Sequence, residues 1–219
     1  MLQPFCCGQP MAKTENGEWE CRICDGKQGE DDKKIPPTEE NPEQYDIDVA
    51  LLEKIINATF PGLTMYVRDV NLPDALADKY TAGMIIREPA FCDASSRVMG
   101  MITTHRYAIL SNHMADFSSF EHGTNWGLHV AQRNSYFKVL GSHAHNGKKI
   151  IILLHLQEGT WEIFQNMSSN IEDQARDSTI ERFINKCDME PIPELAAEAW
   201  LARCSAPLGM DDNGEFYAL

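Results

Sequence analysis

The sequence lacks the features that mark membrane and secreted proteins. No stretch approaches the about 20 apolar residues that a membrane-spanning helix needs, and the longest apolar runs, such as Ile150 to Leu154, have the length of a strand. The first residues contain neither a basic segment nor the apolar core of a signal peptide. We therefore expect a cytoplasmic location and no association with a membrane.

Positive charge is scarce. The 219 residues contain 19 Lys and Arg against 33 Asp and Glu, which gives a formal net charge of −14. An acidic surface repels the phosphate backbone of nucleic acids, so we do not expect nucleic-acid binding. The same charge permits a protein partner or a small ligand.

Common catalytic motifs are also missing. The sequence has no Walker A loop, no glycine fingerprint of dinucleotide-binding folds, no His-Glu-x-x-His and no Gly-x-Ser-x-Gly. Their absence makes an enzyme the less expected class and favours a binding or regulatory protein. Cys92 has the chemistry of a nucleophile, but a small apolar residue of the core is the expected role for it.

Cysteine is present in an odd number, seven, which fits poorly with a complete disulfide framework. Four of the seven instead fall within the first 24 residues, as one adjacent pair and one Cys-x-x-Cys pair. So short a module cannot fold on apolar burial alone, so a bound metal ion would supply the folding energy. The predicted ligands are Cys6, Cys7, Cys21 and Cys24.

This segment resembles the zinc-ribbon and rubredoxin-like class of metal modules. The residues Cys6-Cys7-Gly8-Gln9-Pro10-Met11 are similar to the Cys-Cys-Gly-x-x-Met knuckle of desulforedoxin-type modules, in which both adjacent cysteines bind one iron ion. Here the adjacent pair precedes the Cys-x-x-Cys pair, which is the reverse of the order in that family. Tetrahedral sulfur sites without a redox partner are usually structural zinc. We therefore predict Zn²⁺, with Fe as the alternative ion and an iron-thiolate redox module as a weaker alternative function.

Composition divides the chain into three parts. Residues 1–28 contain the four cysteines and form the predicted metal-binding ribbon. Residues 29–45 are charged and contain prolines, with Ile35 as the single aliphatic side chain, which predicts an acidic linker. Residues 46–219 form the predicted main domain.

The apolar pattern of the main domain predicts an α+β fold with a mostly antiparallel sheet and flanking helices. The clearest hairpin turns at Asn146-Gly147, because both residue types tolerate a positive φ. The run Ile150 to Leu154 is apolar on both faces and is expected to be a central strand. Helices are predicted at residues 48–59, 73–79, 171–187 and 193–203. Strands are predicted at residues 63–70, 82–87, 98–103, 107–112, 136–141, 148–156 and 161–165.

The histidines lie close together in the sequence. His143 and His145 have a His-x-His spacing, which on a strand would place both rings on one face, a frequent geometry for metal binding. They fall in the predicted hairpin loop, residues 142–147, so we expect them to be exposed loop residues. His129 and His155 are expected to be structural.

The loop at residues 113–124 contains the candidate catalytic residues, because active sites are often formed by polar, titratable side chains at the end of a strand. His113, Asp116 and His122 are the candidate acid–base groups of a hydrolase or transferase. His122-Gly123-Thr124 is similar to a short His-Gly-Thr element of ADP-ribosyltransferases, but no matching downstream pattern accompanies it, so that assignment is not adopted.

The main function expected from the sequence is a cytoplasmic metal-binding protein of binding or regulatory type. It would combine a structural zinc ribbon with an acidic α+β domain that binds a protein partner or a small ligand. The hydrolase or transferase is the alternative.

Overall fold

The computed structural model describes residues 48–219 in full. Before them it gives only the backbone pairing of five two-residue strands, which form two small antiparallel sheets, β1–β2 and β3–β4–β5. The chain divides into two units, Met1–Ile47 and Asp48–Leu219. The strands of the first unit are β1 Phe5–Cys6, β2 Gln9–Pro10, β3 Ala12–Lys13, β4 Trp19–Glu20 and β5 Lys27–Gln28.

Two predictions fall outside the described residues. The metal site needs the side chains of the four N-terminal cysteines, and the acidic linker at 29–45 is a compositional prediction. The ribbon at 1–28, its ion and the boundaries of the three predicted parts therefore stay predictions.

The second unit contains one eight-stranded sheet with the order β10-β11-β8-β6-β9-β13-β12-β7. Only β9 and β13 pair in parallel, so the sheet is mostly antiparallel, and the predicted α+β class is confirmed. The strands are β6 Thr64–Val70, β7 Ile85–Glu88, β8 Cys92–Ser95, β9 His105–Ser111, β10 Ala115–Asp116, β11 Leu128–Ala131, β12 Ser135–His145 and β13 Lys148–His155.

The two longest helices begin where the sequence supplies a side-chain cap. The Asp48 side chain accepts a hydrogen bond from the backbone N–H of Leu51, and Ser169 and Glu172 form a capping box at the start of α4. None of the helices within residues 48–219 is long and apolar enough to span a membrane. The helices are α1 Val49–Thr59, α2 Asp74–Ala77, α3 Trp161–Gln165, α4 Asn170–Lys186, α5 Pro193–Ala196 and α6 Glu198–Arg203, with a 3₁₀ turn at Ser118–Phe120.

The sheet is covered on both faces. Ile150 and Ile152 of β13 pack in one apolar cluster with residues of α1, α3 and α4. Ile151 and Leu153 pack in the other cluster, with α2 and the chain after α6. Ile150 to Leu154 are all completely buried, so the predicted central strand is confirmed.

Two predicted strands are wrong. Residues 161–165 form α3 instead, because Trp161 and Phe164 recur at helical spacing: Trp161 stacks on Tyr136, and Phe164 is buried. Residues 98–103 do not pair with β9, which lies between β6 and β13 in the sheet. The carbonyls of that segment accept hydrogen bonds from Arg106 instead.

The predicted hairpin is confirmed, but its loop is shorter than expected. Strand β12 continues to His145, and the turn consists of Asn146 and Gly147 alone, with φ values of 49° and 76°. The prediction that His143 and His145 lie in a loop is therefore wrong. Both lie on one strand, separated by one residue, so their side chains leave the same face.

Candidate functional site

The structure does not join the three predicted catalytic residues in one site. His113 contacts Asn112 and Gln157, whereas Asp116 lies on β10 opposite His129. His122 is exposed on the loop before β11. The neighbouring Glu121 organises that loop by accepting hydrogen bonds from the backbone of Trp126 and Leu128.

His155 is held between two serines in the core. Ser135 donates its hydroxyl hydrogen to the carbonyl of Gln132 at 2.7 Å, so it accepts from His155 Nε2 at 3.2 Å. Ser111 accepts from the backbone N–H of His113 and donates to His155 Nδ1 at 2.9 Å. Burial, with a smaller effect of His113, lowers the pKa of His155 to about 3. Because Ser111 is completely buried, this neutral network is structural rather than catalytic.

A second histidine lies at an accessible position beside an acid. Nε2 of His129 is 3.9 Å from Oδ1 of Asp116, and the imidazole also packs on the ring of Tyr66, with 4.7 Å between ring centroids. The side chain of His129 is 14% exposed and that of Asp116 is 63% exposed. Solvent or a substrate can therefore reach the pair.

Hydrogen bonding fixes which nitrogen of His129 can act as a base. Nδ1 is 3.0 Å from the carbonyl oxygen of Gly127, which can only accept, so Nδ1 carries the hydrogen. Nε2 is left to take up a proton, and the carboxylate of Asp116 would stabilise the imidazolium that results. Two hydrogen bonds from Ser118 and the proximity of His129 lower the pKa of Asp116, which keeps it ionised.

Arg68 lies on β6, two residues from Tyr66 and on the same face of the sheet. Its side chain is buried, with a relative exposure of 7% for the residue, and its Nε has no hydrogen-bond partner within residues 48–219. Among the described residues, the other guanidinium nitrogens donate only to backbone carbonyls, to Asp93 at 3.1 Å and to Ala206 at 3.4 Å. Arginine stays charged in proteins, so Arg68 is a buried cation held by neutral groups.

Within residues 48–219 no carboxylate forms an ion pair with Arg68, although the charge of Asp93 acts on it without direct contact. Burial raises the pKa of Cys92 to about 12, that of Cys204 to about 11 and that of Tyr107 to about 12, so all three groups are neutral. The carboxylate of Asp93 instead binds Arg203, with Nη2 and Oδ2 2.7 Å apart. A buried charge without a directly paired counter-charge costs several kcal/mol, so this position favours an anion.

Arg68 and His129 are brought near each other by β8. The backbone of His129 pairs with Ala94 of β8, and Arg68 donates to the carbonyl of the preceding residue, Asp93. Strands β6 and β8 are themselves paired at one position, Val67 with Ser95. The cation and the acid–base pair therefore lie on one face, on either side of β8.

The chain after α6 covers Arg68. The carbonyl of Ala206 accepts from the guanidinium, and Leu208 is held by two tyrosines: Tyr80 donates to its carbonyl at 2.7 Å, and its N–H donates to the hydroxyl of Tyr107 at 3.2 Å. An anion could reach Arg68 only if this segment moved. The contact to Ala206, at 3.4 Å, is long for a hydrogen bond and is the weaker of the two carbonyl contacts.

The cavities near this segment are small. One, of about 90 Å³, lies between β6 and α6 and is lined by Asp69, Thr103, Leu201 and Ser205, among others. No histidine lines it. With the C-terminal segment in place, this cavity is too small for a nucleotide.

Sequence reasoning found one member of this arrangement and missed the others. The sequence predicts Asp116 as a catalytic residue and His129 as a structural one, and it predicts no role for Arg68. The signal for Arg68 was present, since Arg68-Asp69 interrupts the apolar strand 63–70. The sequence around His129 contains no comparable signal, because only the pairing of β10 with β11 places His129 beside Asp116.

No family model and no curated protein matches this chain. Among solved structures, it is similar to the type III effector XopAI from Xanthomonas axonopodis pv. citri, with 14% identity, a TM-score of 0.38 and coverage of 46% of this chain and 44% of that one. It is also similar to ADP-ribosyltransferase HopU1 of Pseudomonas syringae pv. Tomato DC3000, with 20% identity and a TM-score of 0.37. That match covers 43% of this chain and 45% of HopU1. Exoenzyme S from Pseudomonas aeruginosa matches with 15% identity and a TM-score of 0.37, and the match covers 58% of this chain and 63% of that one.

These matches correct the function expected from the sequence. Several of the matched structures are described as ADP-ribosyltransferases, which are enzymes, so the main expectation of a binding or regulatory protein, and of an enzyme as the less expected class, is wrong. The predicted N-terminal metal site is not tested by these matches. The transferase alternative agrees with them better. The chain spans about half the length of the first structures it matches, and at these low similarities no residue, ligand or substrate is carried over.

Proposed function

We propose that this protein is a transferase whose donor substrate carries a phosphate group that binds Arg68. The observation that carries the proposal is the buried guanidinium with a free Nε and no carboxylate partner among residues 48–219. Guanidinium groups bind phosphate oxygens through paired, charge-assisted hydrogen bonds. The two backbone carbonyls that now face Arg68 are weaker partners than a phosphate would be.

His129 is the proposed general base and Asp116 its positioning partner. Nε2 of His129 takes the proton from the hydroxyl or amine of the acceptor. The freed electron pair forms the bond to the transferred group, which carries the phosphate, and the bond from that group to the leaving group breaks, with its electrons staying on the leaving group. Arg68 binds the phosphate and so holds the transferred group in position beside His129.

Access to the site requires the segment after α6 to move. Hydrogen bonds of Ala206 and Leu208 hold it against Arg68 and the two tyrosines, and burial of Leu208 and Met210 in the apolar core adds to them. Substrate binding would replace the Arg68–Ala206 contact, so amide hydrogen exchange in this segment should rise when a phosphate-bearing ligand binds.

NAD is a suitable first probe, because it carries two phosphates and a cleavable N-glycosidic bond, and water can serve as the acceptor. Binding is measured by calorimetry and turnover by release of nicotinamide. Arg68→Met should weaken binding by about 10- to 100-fold, since a hydrogen bond to a charged group contributes about 1.5–3 kcal/mol. The variant should stay folded, because it removes an uncompensated buried charge.

His129→Gln separates binding from chemistry. It should leave the Kd for NAD near the wild-type value and lower turnover by about 100-fold or more. Arg176→Met, on the exposed face of α4, is the matched control and should change neither. Wild-type protein that binds neither NAD nor pyrophosphate, or Arg68→Met protein that binds as well as wild type, would overturn the proposal.

The remaining expectations from the sequence stay proposals. Zinc or iron at Cys6, Cys7, Cys21 and Cys24 is tested by elemental analysis of the purified protein, with Cys21→Ser as the control. A cytoplasmic location and a protein partner are likewise proposals, as is the lack of binding to nucleic acids and membranes.

A further inference from the structure

Three metal-binding side chains converge where the turn of the β12–β13 hairpin meets the C-terminus of α4. They are His145, Cys187 and Asp188, and their ligand atoms all lie within 4.8 Å of one another. Nε2 of His145 is 3.8 Å from Oδ2 of Asp188. The cluster lies outside the proposed transferase site and shares no residue with it.

The local fold explains why these residues meet. The two-residue turn at Asn146-Gly147 lets β12 run to its last residue, His145. Helix α4 ends at Lys186, and the N–H of Cys187 still bonds to the carbonyl of Phe183. The next residue, Asp188, therefore leaves the helix end directly beside the hairpin turn.

The carboxylate of Asp188 is already oriented toward this point. Asn146 donates to its Oδ2 at 2.6 Å, and Lys148 donates to its Oδ1 at 3.0 Å. Lys148 also donates to the backbone carbonyl of Cys187 at 2.6 Å. Hydrogen bonds of this kind fix the geometry of metal ligands and raise metal affinity.

The opposing effect is the ammonium charge of Lys148, which repels a cation. Its contact is with Oδ1 of Asp188, whereas His145 faces Oδ2. Binding of a metal ion to Cys187 releases the thiol proton, so the thiolate and the carboxylate of Asp188 together supply two negative charges. These outnumber the single positive charge of Lys148.

We propose that His145, Cys187 and Asp188 bind a divalent transition-metal ion of the zinc type. Thiolate, imidazole and carboxylate are the three ligand types that zinc uses, with bonds of about 2.0–2.3 Å. Ligand atoms around such an ion are roughly 3.5 Å apart, so the side chains need to close by little more than about 1 Å. Three protein ligands leave a fourth position for water or a ligand.

Cobalt(II) is the probe, because a cobalt–thiolate bond gives a charge-transfer band in the near ultraviolet. The full chain carrying Cys6, Cys7, Cys21 and Cys24 as serine removes the predicted N-terminal site from the measurement. This background should bind one cobalt ion per chain and show the band. Cys187→Ser in the same background should abolish it.

His145→Ala is the second variant, and it leaves the buried thiol in place. It should weaken cobalt and zinc binding by at least about 100-fold, because it removes one of three ligands. His143→Ala is the matched control, since His143 lies on the same strand and outside the cluster. It should bind cobalt as the background does.

A background protein that shows no charge-transfer band overturns the proposal, as does a band of unchanged intensity in Cys187→Ser. Equal affinities of the His145→Ala and His143→Ala proteins would also overturn it. If Cys187→Ser does not fold, Asp188→Asn replaces it, because Asp188 is at the surface. That variant should bind cobalt at least about 100-fold more weakly, and unchanged binding rejects the site.

Discussion

The buried histidine His155 should make the stability of this protein fall steeply in mild acid. Burial lowers its pKa in the folded protein from 6.5 to about 3. Between these two values the unfolded chain binds a proton that the folded chain does not, so lowering the pH favours unfolding. The contribution of His155 is fully present above pH 6.5 and is lost progressively below it.

The size of the effect follows from the two pKa values. Between about pH 6 and about pH 4, His155 alone should lower the free energy of unfolding by about 2.5 kcal/mol. This is a large part of the about 5–15 kcal/mol that stabilises a typical domain. Other groups also titrate in this range, so the contribution of His155 has to be isolated by substitution.

His155→Gln removes the titrating group, and urea unfolding at a series of pH values measures the result. The variant will be less stable at neutral pH, because it loses the contacts to Ser111 and Ser135. Between about pH 6 and about pH 4, however, its free energy of unfolding should decline by about 2.5 kcal/mol less than that of wild type. His122→Gln, on the exposed loop, is the control and should decline as wild type does. If the free energy of unfolding falls by the same amount between these pH values in wild type and His155→Gln, the imidazole of His155 is not buried in its neutral form.

Two further substitutions test the core. Lys138 and Glu172 form a buried ion pair with Nζ–Oε1 at 2.9 Å, so Lys138→Met should cost about 3–5 kcal/mol. Adding Glu172→Gln removes the carboxylate that Lys138→Met leaves unpaired, so the double variant should regain part of the lost free energy of unfolding in urea. A double variant less stable than Lys138→Met would show that the unpaired carboxylate is not the cause of the loss. A Cβ at Gly100 would lie 1.8 Å from the carbonyl oxygen of Met189, so Gly100→Ala should cost at least about 3 kcal/mol. Gly62→Ala, where φ is +76° but no atom lies within 4 Å, should cost about 1 kcal/mol, and equal thermal shifts for the two variants would contradict the steric reasoning.

The elements predicted correctly are those whose local pattern and tertiary role agree. Helix α1 has apolar residues at helical spacing and an aspartate cap, and Ile150 to Leu154 is apolar on both faces because both faces are covered. The segment 161–165 was mispredicted because its short apolar pattern suits either a strand or a helix. Stacking of Trp161 on Tyr136 and burial of Phe164 occur in the helix.

The candidate sites depended on pairing that local sequence does not encode. His129 lies 13 residues after Asp116, and the pairing of β10 with β11 alone sets the two side chains opposite each other. His145 is likewise far along the chain from Cys187 and Asp188, and the shortness of the Asn146-Gly147 turn extends β12 far enough for the three to meet.

The sequence by itself determined the α+β class, the hairpin at Asn146-Gly147 and the central strand, because these follow from local turn chemistry and apolar periodicity. Only the tertiary structure decided which charges are uncompensated. The guanidinium of Arg68 has the same chemistry as every other arginine in the sequence. It becomes a candidate anion site because Asp93 binds Arg203 while the chain after α6 buries Arg68 among neutral groups. Burial and the choice of partner set the free energy of a charge, and both depend on residues that are distant in the sequence.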